Sequence, residues 1–470
     1  MAEPSLDATH APPPEAWEPA LRLARIAGRP LDRFLRLEAA SGILLIAIAV
    51  VALVWANSAW AESYNHLWHI EVGLRFGEFA FARPLHWWVN DGLMTIFFFV
   101  VGLEIRREIH HGELSEWRRA ALPTAAAIGG MIAPALIYIS LSPAGEAARG
   151  WGVPMGTDIA FAVGILTLLG RRVPAALRVL LLTLAVIDDL GAIMIIAVFY
   201  SSGISLLGIA VLVAGLLLIL ALQRFGVRQK TAYFVPALLT WAGAYAAGVH
   251  PTIAGVIVGM MTPVRAWLGT SGFLEHIQSD LNSLETFAKR DNLDTHAMAS
   301  VLERIRAARR EVLSPAEGLI EVLHPWVAFG IMPVFALANA GVAVGGFEPQ
   351  GTPLLVMIGT ALGLVLGKPI GILLASGIVL RSGLATAPRG IGRAQLVVLG
   401  LVAGIGFTMA LFIAQLAFTS EALLSAAKIG VLIASAVAAV LGLAAGRIFL
   451  TAPPSDAAQS ADEAESKSEV

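Results

Sequence analysis

Cysteine is absent from this 470-residue chain, and charged residues are scarce at 14%. The first absence excludes disulfides and thiolate metal sites. The second sets the chain apart from soluble domains, which average about 25% charged residues. With 57% hydrophobic residues and a mean hydropathy of +0.76, the composition is that of a polytopic membrane protein whose main partner is the lipid bilayer. The formal net charge is −2, from 32 basic and 34 acidic residues. There is thus no global bias toward nucleic acid. No cleavable signal stands apart from the first apolar run, so residues 1–33, rich in Ala, Pro and Glu, read as a cytoplasmic leader.

The few charges are segregated along the chain, and their order carries information. A helix crossing a bilayer core of about 30 Å needs about 20 apolar residues. Such runs lie at 38–57, 86–103, 120–141, 177–199, 205–222, 231–247, 325–342, 354–380 and 424–446. Shorter or interrupted runs lie at 155–169, 252–263 and 395–418. Together they predict an all-α chain of twelve transmembrane helices within residues 34–450. Cytoplasmic loops carry an excess of Lys and Arg. The N-terminal stretch before the first span holds Arg22, Arg25, Arg29, Arg33 and Arg36, and basic clusters then recur after every second span. They are Arg106, Arg107, Arg118 and Arg119; Arg171, Arg172 and Arg178; Arg224, Arg228 and Lys230; Arg265, Lys289 and Arg290; Arg381, Arg389 and Arg393; and finally Arg447. The intervening loops hold few, namely Arg75, Arg83, Arg149 and Lys428. This alternation puts both termini on the cytoplasmic side. The tail 451–470, acidic and rich in Ser and Ala, is expected to be disordered.

Two loops stand out. Residues 59–83 alternate partly between apolar and polar around Gly73 and Gly77, which predicts an external β-hairpin. Residues 264–323 form a long internal loop. In it Phe273, Ile277, Leu281, Leu284 and Phe287, then Met298, Leu302 and Ile305, recur at helical spacing and predict amphipathic helices on the cytoplasmic surface.

Few ionisable residues fall well inside the spans. Asp188 and Asp189 sit side by side at the middle of LRVLLLTLAVIDDLGAIMIIAVF. One charge at the bilayer centre costs about 2.5–3.5 kcal/mol on insertion scales, and intramembrane carboxylates by default mark an ion or proton path. Asp158 lies in GTDIAFAVG and Lys368 in LGLVLGKPIGILL, both weakened helix by their Gly and Pro content. A second Gly-interrupted run, LVAGIGFTMALF, mirrors the first, so that the fourth and eleventh spans are interrupted in corresponding places. Such pairs point to a transporter site. Broken helices leave opposed dipole ends that need countercharges, which Asp158 and Lys368 could supply. Carboxylates are hard oxygen donors that suit Na+ or Li+ and also take protons. A pair can hold one or the other, and this competition is the core of an exchanger. Adjacent helical residues differ by about 100° in direction, so Asp189 is expected in the cavity and Asp188 turned toward Lys368. Each group also has a plainer reading: Asp158 as a cap, Thr157 bonded to backbone, Lys368 snorkelling to an interface. Glu104 and Glu108 could attract cations at a cytoplasmic mouth or pair with Arg107, and His250 and His324 could sense pH or be inert.

The runs WVNDGLMTIFFFVVGLEIRRE, GTDIAFAVG, LAVIDDLGAI, GVHPTIAGVIVG, LHPWVAFGIMPVFALANAG, GKPIGI and GIGFTMALFIA, in order over roughly residues 33–450, resemble the NhaA-type bacterial sodium/proton antiporters. The resemblance implies an inverted-repeat fold of twelve helices with the fourth and eleventh unwound and crossing, in the bacterial inner membrane. It implies exchange of one Na+ or Li+ for two protons by alternating access, activated at alkaline pH, with no cofactor. By motif position Asp188 and Asp189 are the cation and proton carriers, Asp158 and Thr157 support them, and Lys368 pairs with Asp188 or carries a proton. Glu104 falls at the family's cytoplasmic funnel, and the 59–83 hairpin falls where the family forms its homodimer.

The chain departs from that pattern in two places. The 264–323 loop is far longer than the family's short link. The glutamate used in pH response, one turn before the His of LHPW, aligns with Ile320, and Glu321 is one step off. Two other classes fit less well. An intramembrane aspartyl protease places its aspartates on separate helices, whereas this pair is contiguous and no GxGD motif occurs. A symporter for an organic solute needs ligands beyond carboxylates, and none is visible.

Overall fold

The computed structural model describes residues 38–450 apart from 78, 202, 204, 266–277, 279, 281, 283–298, 306–313, 346–349 and 389. The leader 1–33, the tail 451–470 and the residues Phe273, Ile277, Leu281, Leu284, Phe287 and Met298 lie outside the described residues. Helix α1 (Glu38–Ala56) is followed by α2 (Ala61–His69) and by strands β1 (Glu71–Phe76) and β2 (Phe79–Pro84). Then come α3 (Leu85–His111) and α4 (Trp117–Leu141). A 3-10 helix Ala147–Met155 leads to α5 (Ile159–Leu168), α6 (Ala175–Phe199), α7 (Leu206–Arg224), α8 (Phe234–Ala246) and α9 (Pro251–Met261). The last part holds α10 (Pro315–Asn339) and α11 (Gly351–Arg381), then α12 (Arg393–Ala403), α13 (Phe407–Ala417) and α14 (Glu421–Phe449).

Among the described residues, seven helices are long and apolar enough to cross a membrane, or up to ten if each bent pair is one span. The bent pairs are α1 with α2 at 109°, Ala147–Met155 with α5 at 43°, and α12 with α13 at 47°. The protein is thus an all-α polytopic membrane protein with broken spans. Leu206 and Leu207 on α7 are among many large apolar side chains left exposed, which suits a surface bathed in lipid rather than water. Lipid supplies no hydrophobic drive between helices, so close packing relies on small residues. A Cβ on Gly259 of α9 would lie 2.4 Å from the Phe99 carbonyl oxygen of α3, and one on Gly371 of α11 would lie 2.0 Å from the Gly129 carbonyl oxygen of α4.

Strands β1 and β2 pair antiparallel, with Glu71 opposite Pro84 and Phe76 opposite Phe79. The expected hairpin at 59–83 is therefore confined to 71–84, and its first part is helix instead. The reason is the spacing of Tyr64 and Trp68, which both bury on one face of α2. The Tyr64 hydroxyl donates to the Leu337 carbonyl at 2.7 Å, tying α2 to α10. The ribbon is anchored to the helices as well. Arg83 donates to the Tyr245 hydroxyl, and Trp88 Nε1 donates to the Val72 carbonyl at 2.8 Å. In the 264–323 loop the described stretch 299–305 is helical, and Arg304 Nε meets Asp280 Oδ1 at 3.0 Å.

Candidate functional site

The two broken spans meet at their breaks. Between Met155 and Ile159 the chain leaves helical geometry, and Asp158 has extended backbone angles. The second break runs from Gly404 to Gly406. The Asp158 N–H donates to the Ile405 carbonyl at 2.8 Å, and Thr157 Oγ1 donates to the Ala403 carbonyl at 3.1 Å. Glycine permits this approach: a Cβ on Gly156 would lie 3.0 Å from Met409 Cβ. Backbone groups released by the breaks are thus satisfied across the junction, as a low-dielectric interior requires.

Asp158 joins the N-termini of the C-terminal halves of both broken spans. Its Oδ1 accepts from the Phe161 N–H at 3.0 Å, capping α5. Its Oδ2 accepts from the Thr408 N–H of α13 at 3.1 Å and from the Thr408 hydroxyl. Each helix N-terminus carries about +0.5 charge, so two of them balance one carboxylate. Lys368 does the reverse. Its Nζ donates to the Met155 carbonyl at the end of the 3-10 helix. The ammonium also lies 2.9 Å from Asp188 Oδ2, which is 2.7 Å from Thr157 Oγ1 and shares that hydroxyl's one proton with the Ala403 carbonyl. Lys368 leaves a π-helical segment, Gly363–Gly367. Pro369 has no N–H and crowds the carbonyl one turn back, and the wider turn relieves that conflict.

Asp158, Asp188, Asp189 and Lys368 are all at most 1% exposed. Asp189 therefore does not face an open cavity, contrary to the sequence expectation; the helices around α6 close over it. Asp188 Oδ1 and both carboxylate oxygens of Asp189 have no hydrogen-bond partner among the described residues. Three acceptor oxygens on adjacent residues are left free beside one ammonium, which itself engages only Asp188 of the two. Among the described residues no group of three or more His, Cys, Asp or Glu side chains could hold a metal ion.

A family profile described as Na+/H+ antiporter 1 matches residues 32–445. The chain belongs to that family. It is a secondary transporter of the antiporter type rather than an enzyme. It is 61% identical over 455 residues to "Na(+)/H(+) antiporter NhaA 2" of Myxococcus xanthus, covering 96% of each chain. It is 53% identical over 464 residues to the protein of the same description from Sorangium cellulosum, covering 97% of this chain and 98% of the relative. With "Na(+)/H(+) antiporter NhaA" of Janthinobacterium the identity is 49% over 425 residues, covering 90% and 94%.

None of the remaining candidates hydrogen-bonds to the aspartate pair, although the Glu104 charge reaches Asp189. Glu104 Oε1 is 3.7 Å from His324 Nδ1. Glu108 is 3.6 Å from Arg107 and accepts from the Glu113 N–H at 3.3 Å. Glu321 is exposed on α10. His250 Nε2 is 3.4 Å from Asp91 Oδ1, and its Nδ1 lies 3.0 Å from Thr252 Oγ1. The sequence reading missed Thr408 and Ser435. Ser435 Oγ accepts from the Phe407 N–H at 3.1 Å, so it also caps α13. Thr408 stands two residues after the glycine break, which is where an exposed N–H needs a partner. Ser435, on a distant span, left no local signal.

Proposed function

We propose that the chain exports one Na+ or Li+ in exchange for two protons, by alternating access, with Asp188 and Asp189 as the shared carriers. One observation carries the reading: three partnerless oxygens on two adjacent buried aspartates, where two broken spans meet. Hard oxygen ligands suit Na+ and Li+. Protons and the cation compete for the same lone pairs, so loading one releases the other. Asp158 is balanced by two helix ends and Thr157 holds Asp188, which makes both supports rather than carriers. Lys368 neutralises Asp188 while the cation is away. The names of the relatives support Na+ and protons as the ions exchanged.

Counting α8 and α9 with the ten candidate spans gives the twelve helices of an inverted-repeat fold. The loop arginines orient it with both termini in the cytoplasm of a bacterial cell and the hairpin outside. The domain plan is then leader 1–33, antiporter 34–450 and tail 451–470. Activation at alkaline pH acts through Glu104, Glu108, Glu321 and His324 on one face and His250 on the other. The exposed edges of the hairpin support a homodimer, since an unpaired strand edge is a template for a second copy.

The test is exchange in everted vesicles carrying the protein. Addition of Na+ or Li+ between pH 7 and 9 is expected to dissipate part of a preformed proton gradient. No response over that range contradicts the reading.

A further inference from the structure

On the hairpin face a second polar cluster lies apart from the aspartates. His86 opens α3 directly after β2, and Asn90 follows one turn on. Asn339 ends α10, Gln415 lies near the end of α13, and Lys428 sits two turns into α14. Asn339 Nδ2 donates to Asn90 Oδ1 at 2.9 Å and to the Phe335 carbonyl at 3.0 Å. Both amide hydrogens are then used, so the oxygen is the free atom. Asn90 Nδ2 lies 2.9 Å from His86 Nε2, and Gln415 Nε2 lies 3.0 Å from the same nitrogen. One ring lone pair cannot serve two amide donors fully. Asn339 Oδ1 and Gln415 Oε1 are buried with no partner among the described residues. Lys428 is 9% exposed and makes no hydrogen bond or ion pair with a described residue. A buried network left this incomplete costs stability, which points to a role beyond structure.

The geometry points to a second monovalent-cation station on the hairpin face, formed by the side-chain oxygens of Asn90, Asn339 and Gln415 and guarded by the Lys428 ammonium. The inference rests on the antiport reading above. Amide oxygens are hard but neutral donors, so they hold Na+ or Li+ more weakly than the aspartate pair. The nearby ammonium weakens the hold further and favours release of the ion to the hairpin side. Between station and aspartates stand three fully buried rings, Phe98, Phe335 and Phe412. Phe412 lies 5.3 Å from Phe98 and 6.1 Å from Phe335, centroid to centroid. It sits one turn inward of Gln415 and one turn outward of Thr408, which holds Asp158. These rings pack against one another between the levels of Gln415 and Thr408, and α13 carries ligands or supports on both sides of them.

The test measures the Na+ KM separately from each face, by currents in proteoliposomes of defined orientation. Lys428→Gln is expected to lower KM on the hairpin face about tenfold, as loss of a nearby like charge should, and to leave KM on the opposite face unchanged. Lys428→Arg should restore the wild-type ratio, and Gln415→Leu should raise KM on the hairpin face only. Equal shifts on both faces, or none on either, overturn the station. If Lys428→Gln does not reach the membrane, half-buried Gln415 decides: a Gln415→Leu KM unchanged on the hairpin face overturns it. Wild-type exchange with face-independent variants rejects the station alone. Absence of wild-type exchange rejects the antiport reading and the station with it.

Discussion

Asp188 and Asp189 are neighbours in sequence with opposite fates in the structure. Asp188 shares one oxygen between Lys368 at 2.9 Å and Thr157 at 2.7 Å, whereas neither oxygen of Asp189 has a partner among the described residues. That the two cannot point the same way follows from the turn of a helix; which of them meets Lys368 was not fixed by the adjacent letters. Nor was the closure over Asp189 legible there, because it depends on packing around α6 that no local pattern reveals. Lys368→Ala should strand the Asp188 carboxylate. Removing one member of a buried pair costs about 3–5 kcal/mol, so the melting midpoint in detergent should fall markedly. Adding Asp188→Asn should recover part of the loss, and a double variant no more stable than the single would show that the two are not coupled. Asp189→Asn should leave the protein in the membrane and abolish exchange; retained exchange removes Asp189 from the mechanism.

At the scale of elements, the glycines of GTDIAFAVG and LVAGIGFTMALF marked both breaks in the sequence. What closes the junction was hidden, since the Thr408 groups that meet Asp158 Oδ2 come from α13, 250 positions away. Of the three π-helical segments only Gly363–Gly367 falls in a run marked beforehand as weakened helix. Gly363–Gly367 and Val327–Ile331 each end within two residues of a proline, Pro369 and Pro333, whereas Trp88–Leu93 has no such neighbour. Thr408→Val should loosen the grip on Asp158 and lower the melting midpoint without removing a carrier. On the hairpin side, Glu146 clamps the loop before the first break to the start of α14. The Thr419 hydroxyl, then the N–H groups of Ser420 and Thr419, hold its carboxyl below the ordinary value of 4.5. Its contribution is therefore complete above pH 4.5 and is lost as pH falls through the lower folded value. Glu146→Ala should melt below wild type at pH 7, and the gap should close on acidification. A gap that persists at the acid end contradicts the clamp.

For the whole molecule, composition and loop charge already gave a multi-span membrane protein, and the structure adds where it is bent. The 109° turn between α1 and α2 places Tyr64 against α10 and sets the ribbon on aromatic supports. Arg83 lies 5.7 Å from the Phe81 ring and 5.8 Å from that of Tyr245. Replacing 71–84 by a short Gly/Ser linker should turn a dimer into a monomer in light scattering while exchange persists; an unchanged mass rules out the hairpin as the dimer contact. On the proposed mechanism protons and the cation compete for one aspartate pair. The most direct test of that competition is proton release from the purified protein in weakly buffered detergent solution when Na+ is added. The wild type should release protons on Na+ or Li+, and Asp189→Asn should release none. A wild type that binds Na+ without releasing protons, or an Asp189→Asn variant that releases them undiminished, would contradict the competition.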